Sequence, residues 1–293
     1  MKSLSMKSAA KSAVKSAFVW RSLLMLAAAM PLTLASASAQ NLSVPVGVAV
    51  DANSNIYVAS VFGGVTVYGP NLAKKATITP GIDGANSVAI GPDGTIYVAN
   101  NIGSSITEYS PNGFVQTSLT IPVSQPTQVV VGAYNEVYVV GGNGIVSMFD
   151  PLGGLRSQVT VVDTETLVIT PKVAQFWVAN QNSSPSAEVF EMFTIDIAAG
   201  ANGFLAGAPY TNFLPTRAVA NPKSGDTWMT DFTNNHVLRI NSAGNAVVKI
   251  TPASPPYGIA LDTTKQRIFV TEPEANEVEV FSLTTLQRIG LLK

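Results

Sequence analysis

The sequence predicts an all-β fold, a six-bladed β-propeller of four-stranded antiparallel blades. Three observations carry this expectation: a recurring hairpin, its spacing of about forty residues, and the apolar strand that opens each copy. Residues 87–100, SVAIGPDGTIYVAN, show the unit best. An apolar run meets a turn with Pro92, Asp93 and Gly94, and a second β-branched and aromatic run brings the backbone back beside the first.

The aromatic of the second strand fixes the repeat. It is Tyr57, Tyr97, Tyr138, Trp177, Trp228 and Phe269, at spacings of 40, 41, 39, 51 and 41 residues. The first strands read GVAVD from Gly47, SVAIG from Ser87, QVVVG from Gln128, TLVIT from Thr166, RAVAN from Arg217 and GIALD from Gly258. They are apolar on both faces, which suits strands packed between neighbouring blades with no solvated side. Pro45, Pro126, Pro215 and Pro256 introduce four of them, since proline sets an extended start and donates no ladder bond. Third strands are expected to end at Tyr68, Tyr109, Phe149, Ile240 and Phe281, and in the fourth unit near Phe193. Outer strands turn polar at Lys74, Lys75, Gln116 and Ser118. Blades are expected to begin near Pro45, Ala85, Pro126, Thr164, Pro215 and Pro256. The last unit carries its own fourth strand, so closure by an N-terminal strand is not required, and residues 42–44 are the candidate for it. The tryptophans Trp177 and Trp228 occupy the repeat slot and read as core.

The chain has 293 residues, 46% of them apolar and 12% charged, ample for a large core. Lys2, Lys7, Lys11, Lys15 and Arg21 precede residue 40 with no acid among them, leaving 12 basic and 18 acidic groups beyond, a net charge of −6. That balance argues against nucleic acid as a partner. The basic start leads into an apolar stretch over 23–34 and then ASASAQ, the pattern of a cleaved export signal. Residues 1–39 are therefore expected to be removed and residues 40–293 to form the propeller, periplasmic or secreted, monomeric and without a membrane anchor. With no cysteine, disulfides and thiolate metal sites are excluded.

The repeats PVGVAVDANSNIYVAS, SVAIGPDGTIYVAN and PYGIALDTTKQRIFVTE resemble the NHL-repeat family, whose units join a P-x-G-I-A-V-D strand to a G-x-I-Y-V-A-D strand. The resemblance covers nearly all of the chain beyond the signal and implies the propeller. It leaves activity open, since related propellers include binding scaffolds, calcium-dependent lactonases, streptogramin lyases and peptide-amidating lyases. His236, the only histidine, matches the histidine of the family's N-H-R segment and reads as a repeat residue opening a third strand. One histidine cannot supply the three-histidine metal site that the amidating lyases imply.

Hairpin geometry places the start of each first strand and the end of each second strand at one face. A funnel mouth of Asn86, Gln128, Glu165, Arg217 and Tyr257 is the candidate ligand site, with Asp231 and Glu272 in an outer ring alongside Ser60, Asn100, Gly141 and Asn180. The bland reading makes these solvated, turn-capping rim residues. Glu165 and Arg217, the one acid and one base of the inner ring, are expected side by side, Glu165 orienting Arg217 toward an anionic or polar ligand with Gln128 and Tyr257. No catalytic residue, metal or cofactor is assigned: there is no nucleophile elbow, H-E-x-x-H or phosphate loop. The expected function is a non-enzymatic binding scaffold for a protein or small polar ligand. The alternative is a lactonase or lyase, for which converging carboxylates are needed and only Glu165 stands in the inner ring. Residues 181–211, where the fourth unit is expanded, are expected to form a surface loop.

Overall fold

The computed structural model describes residues 42–293 except 113, 143, 161–163, 170–175, 181–190, 197–200, 205–214 and 242–245. Within them the chain forms a β-propeller of four-stranded antiparallel blades, each running outward in chain order. Blade one is β1 (Pro45–Val50), β2 (Ile56–Ser60), β3 (Gly64–Tyr68) and β4 (Lys74–Ile78). Blade two is β5 (Ala85–Ile90), β6 (Ile96–Asn100), β7 (Ser105–Tyr109) and β8 (Gln116–Pro122). Blade three is β9 (Gln128–Val131), β10 (Val137–Val140), β11 (Ile145–Phe149) and β12 (Leu155–Thr160). Next come β13 (Thr164–Ile169), β14 (Phe176–Asn180), β15 (Glu191–Asp196) and β16 (Ala201–Phe204), then β17 (Pro215–Ala220), β18 (Thr227–Asp231), β19 (His236–Ile240) and β20 (Ala246–Ile250). The last sheet is β21 (Ile259–Asp262), β22 (Arg267–Glu272), β23 (Glu277–Ser282) and β24 (Arg288–Leu292). In β15 the third strand runs three residues past Phe193, which pairs with Val178 in mid-strand. The rest of the 181–211 expansion lies outside the described residues apart from β15 and β16.

The hairpins form where turn chemistry allows them. Asp51 and Asp93 accept hydrogen bonds from backbone N–H groups two to four residues on, fixing the first turns of blades one and two. The aromatic slot then locks blade to blade. Tyr57 packs with Ile96, Val98 and Tyr109 of blade two, Tyr97 with Val129 and Val137 of blade three, and Trp228 with Ile259, Ile268 and Phe281 of the last blade. Each such ring buries roughly 150–250 Å² and supplies the apolar contact that a four-stranded sheet cannot make alone.

Closure uses packing instead of an exchanged strand. Phe269, Val278, Val280 and Leu292 of the last blade form one core with Val48, Ile56, Val58 and Tyr68 of the first, and Leu42 fills it from the side. Residues 42–44 join no sheet, but the Val44 N–H donates to Asn276 Oδ1 at 2.8 Å and the Tyr68 hydroxyl donates to the Lys293 carbonyl at 2.9 Å. At the opposite rim Arg267 pairs with Asp262 at 2.7 Å and donates to the Pro70 carbonyl, while Ser54 Oγ donates to Asp262.

The first strands are not fully enclosed. They are buried where they begin but half-exposed where they end, at Val50, Ile90 and Val131. A ring of sheets cannot converge to a point, so the strand ends stand around an axial channel.

Candidate functional site

Four first strands open with a bulge that sets an extra residue before the ladder: Val46, Asn86, Glu165 and Thr216, at the register shifts 45/47, 85/87, 164/166 and 215/217. The residue after the bulge is thereby aimed at the neighbouring blade. Ser87 Oγ accepts from the Val129 N–H at 3.3 Å. Gln128 spans the next junction with both ends of its amide, donating to the Leu167 carbonyl at 3.0 Å and accepting from the Leu167 N–H at 2.6 Å. Thr166 Oγ1 accepts from the Ala218 N–H at 3.0 Å. Val129, Leu167 and Ala218 are equivalent positions, so one slot performs one task at three junctions.

Two other junctions are backbone-close. A Cβ on Gly47 would stand 2.9 Å from Ser87 Cα, and one on Gly258 would strike the Val46 carbonyl, so only glycine lets the strands approach. Thr230 Oγ1 donates to the Tyr257 carbonyl at 2.6 Å, and Thr271 Oγ1 takes the matching place in the last blade, accepting from the Gly258 N–H at 2.6 Å.

Arg217 crosses the mouth. Its guanidinium donates to the Thr216 carbonyl and, on another blade, to the Thr127 carbonyl, both at 2.6 Å, while its Cζ lies 4.9 Å from the centre of the Tyr257 ring. The Thr127 carbonyl also accepts from Asn86 Nδ2 at 3.0 Å, filling both of its lone pairs. Asn86, Gln128, Arg217 and Tyr257 are thus brought to one rim, buried and bonded to the frame instead of standing solvated around it. The side chain of Glu165 lies outside the described residues, so its pairing with Arg217 does too.

Beneath this rim lies an axial cavity of about 230 Å³, walled by the first strands. Asn86 is 1% exposed, Gln128 5% and Arg217 6%, whereas the strand ends at Val50, Ile90, Val131, Val219 and Leu261 are half-buried. The cavity is therefore closed at the rim where the first strands begin and open where they end.

The outer ring serves the links between blades. Asn100 accepts from the Asp83 N–H at 3.2 Å and donates to Thr107 Oγ1 at 2.7 Å and to the Gly81 carbonyl at 3.3 Å, holding the link from blade one to blade two. Asp231 accepts from both the N–H and Nδ2 of Asn234, capping its own turn. Glu272 is fully buried, and neither of its oxygens finds a partner of good hydrogen-bond geometry, although Glu279 and the Ser254 backbone lie alongside. Burial, reinforced by Glu279 and Glu277, pushes its carboxyl up to about 9, so it is neutral at pH 7. Glu279 is bound by Arg288 at 2.8 Å and accepts from the Ala253 N–H. His236 opens β19, its Nδ1 2.6 Å from the Asn235 carbonyl. No three His, Cys, Asp or Glu side chains among the described residues are grouped to hold a metal.

Sequence reasoning missed the threading roles of Ser87, Thr166, Thr230 and Thr271, and the Glu279 beside Glu272. Alignment of the six units by register, which sets Glu279 in the slot of Thr107, was the available signal.

No protein-family profile matches the chain, and no curated protein matches it. Solved structures do. A virginiamycin B lyase from Staphylococcus aureus aligns at 14% identity over 85% of this chain and 86% of its own, with a TM-score of 0.61. A gluconolactonase from Xanthomonas campestris aligns at 15% identity over 80% and 85%, with a TM-score of 0.63. A chain of a nidogen–laminin complex aligns at 14% over 81% and 92%, with a TM-score of 0.67. Two are named as enzymes and one as a complex, and at such identities the likeness shows the β-propeller fold alone.

Proposed function

We propose that the protein is an exported, six-bladed propeller of NHL-repeat type that acts by binding a small polar molecule on its axis, after removal of residues 1–39. The observation that carries the reading is the axial cavity framed by first strands whose polar rim side chains are committed to cross-blade hydrogen bonds. Such a frame is stiff and pre-organised, which favours selective binding. At 230 Å³ the cavity is smaller than the roughly 300–1,000 Å³ of drug-sized ligand sites, so the ligand is small. Arg217, held against Tyr257, lines its closed end.

The test is a metabolite screen by thermal shift, followed by calorimetry on the hits and a hydrolysis assay on a lactone panel. Saturable binding with no turnover is expected. Turnover of a lactone, lost in Glu165→Gln, would replace this reading with the lactonase one.

A further inference from the structure

The axial cavity opens away from Arg217, and its wall has a specific chemistry. Every blade runs β-strand by β-strand outward, so each first strand is the free inner edge of its sheet. An edge strand turns the N–H and C=O of alternate residues away from its ladder. In the buried half these groups are taken, as Val129 and Leu167 are by Ser87 and Gln128. Two residues further along the same edges stand Val131 and its equivalents Val50, Ile90 and Leu261, half-buried at the open end. There the channel combines aliphatic side chains with strand-edge N–H and C=O groups of the same phase.

We propose that the open end is a miniature strand-addition site, which takes an uncharged peptide-like molecule with an N–H and a C=O one carbon apart and an aliphatic side group. This rests on the axial-binding reading and deepens it. Main-chain pairing at a free sheet edge is an established mode of peptide recognition. The 230 Å³ volume limits the occupant to one or two residues, and the aliphatic wall favours a neutral, capped ligand over a free acid or amine. Arg217 closes the far rim and is not the recognising group.

The probe is N-acetylvaline amide, titrated into the full protein labelled for backbone amide and methyl NMR, with hexanoate as the anionic comparator. Saturable shifts are expected at Val50, Ile90, Val131 and Leu261. Val131→Trp, which fills the channel, should weaken binding about tenfold or more with an unchanged melting temperature. Ile90→Phe provides the same test should the tryptophan perturb folding. No saturable shift, or binding as tight in both filling variants as in the parent, overturns the proposal. Tighter binding of hexanoate, lost in Arg217→Ala, also overturns it and transfers recognition to the arginine while leaving the axial-binding reading intact. Failure of every ligand at the axis defeats both.

Discussion

Of the carboxyls that the last blade buries, Asp262 and Glu272 stand at opposite ends and behave oppositely. Asp262, 3% exposed at the end of β21, accepts from the Lys265 and Thr264 N–H groups, Ser54 Oγ and the Arg267 fork. Burial pushes its carboxyl up, but the Lys265 N–H and the Arg267 and Ser54 bonds together outweigh it and hold the group below the ordinary carboxylate range. Glu272, buried equally well at the end of β22, faces Glu279 in place of a cation and rises to about 9. Depth of burial does not decide the charge; the supply of donors does. The consequences for stability have opposite signs. Asp262 stabilises the ring above its unfolded pKa, and that contribution is lost as pH falls through the folded value. Glu272 is held protonated while the unfolded chain ionises it, so stability declines as pH rises from about 4.5 to about 9.

Removing the donors should make the first acid resemble the second. Arg267→Met strands a buried carboxylate at the seam where the last blade meets Pro70 and Ser54 of the first. A loss of about 3–5 kcal/mol is expected in urea denaturation at pH 7. Part should return at pH 4, where Asp262 takes a proton. An equal loss at both pH values would mean that packing on Phe269, whose ring centre lies 5.2 Å from the Arg267 Cζ, is what matters.

Supplying a neutral group at the other end should erase the second acid's pH dependence. Glu272→Gln places an amide where blade two has Asn100, and it needs no proton. Unfolding free energy between pH 5 and 9 should flatten, with the gain over the parent growing with pH and largest at pH 9, since the unfolded parent ionises Glu272 from about pH 4.5 and the folded one holds it protonated to about 9. If the slope persists, its source lies in another buried group.

The two ends of the blade were unequally legible in the sequence. The hairpin repeat, the aromatic slot and the strand ends at Tyr68, Tyr109 and Phe149 follow from local periodicity and turn residues. Glu272 was recognisable as the end of a second strand, but not as buried, because the linker carrying Ala253 and Ser254 covers it through contacts distant in sequence. Likewise Arg217 reads as a ligand-facing base until the ring is assembled and its fork meets the carbonyl of Thr127, ninety residues away. The bulges that aim these residues leave no local mark, since Val46, Asn86, Glu165 and Thr216 share no chemistry.

A third acid can be built where none exists. Gln128→Glu keeps the acceptor for the Leu167 N–H but removes the donor to the Leu167 carbonyl. A missing donor should raise the new carboxyl as it does at Glu272, with a loss of about 1 kcal/mol at pH 7 that shrinks at pH 5. Calorimetric melting at the two pH values measures it. A variant as stable as the parent at pH 7 would show that the Leu167 carbonyl finds another donor.

The smallest effect marks where the rule about donors stops. Glu277 stands directly opposite Glu272 across the ladder and has its own cation, Lys293, at 3.5 Å. The Lys293 side chain is 65% exposed, so water and salt screen the pair and holding a long flexible chain costs entropy. Lys293→Met should therefore lose only about 0–0.5 kcal/mol, and the difference should vanish in high salt, as read from urea midpoints at low and high ionic strength. It should also leave the alkaline transition of Glu272 in place, because Glu279 and burial set that transition ahead of Glu277. A shift of that transition to higher pH on losing Lys293 would show that Glu277 belongs to the buried acid pair, and that the cation at the chain's last residue sets the charge at the top of the blade.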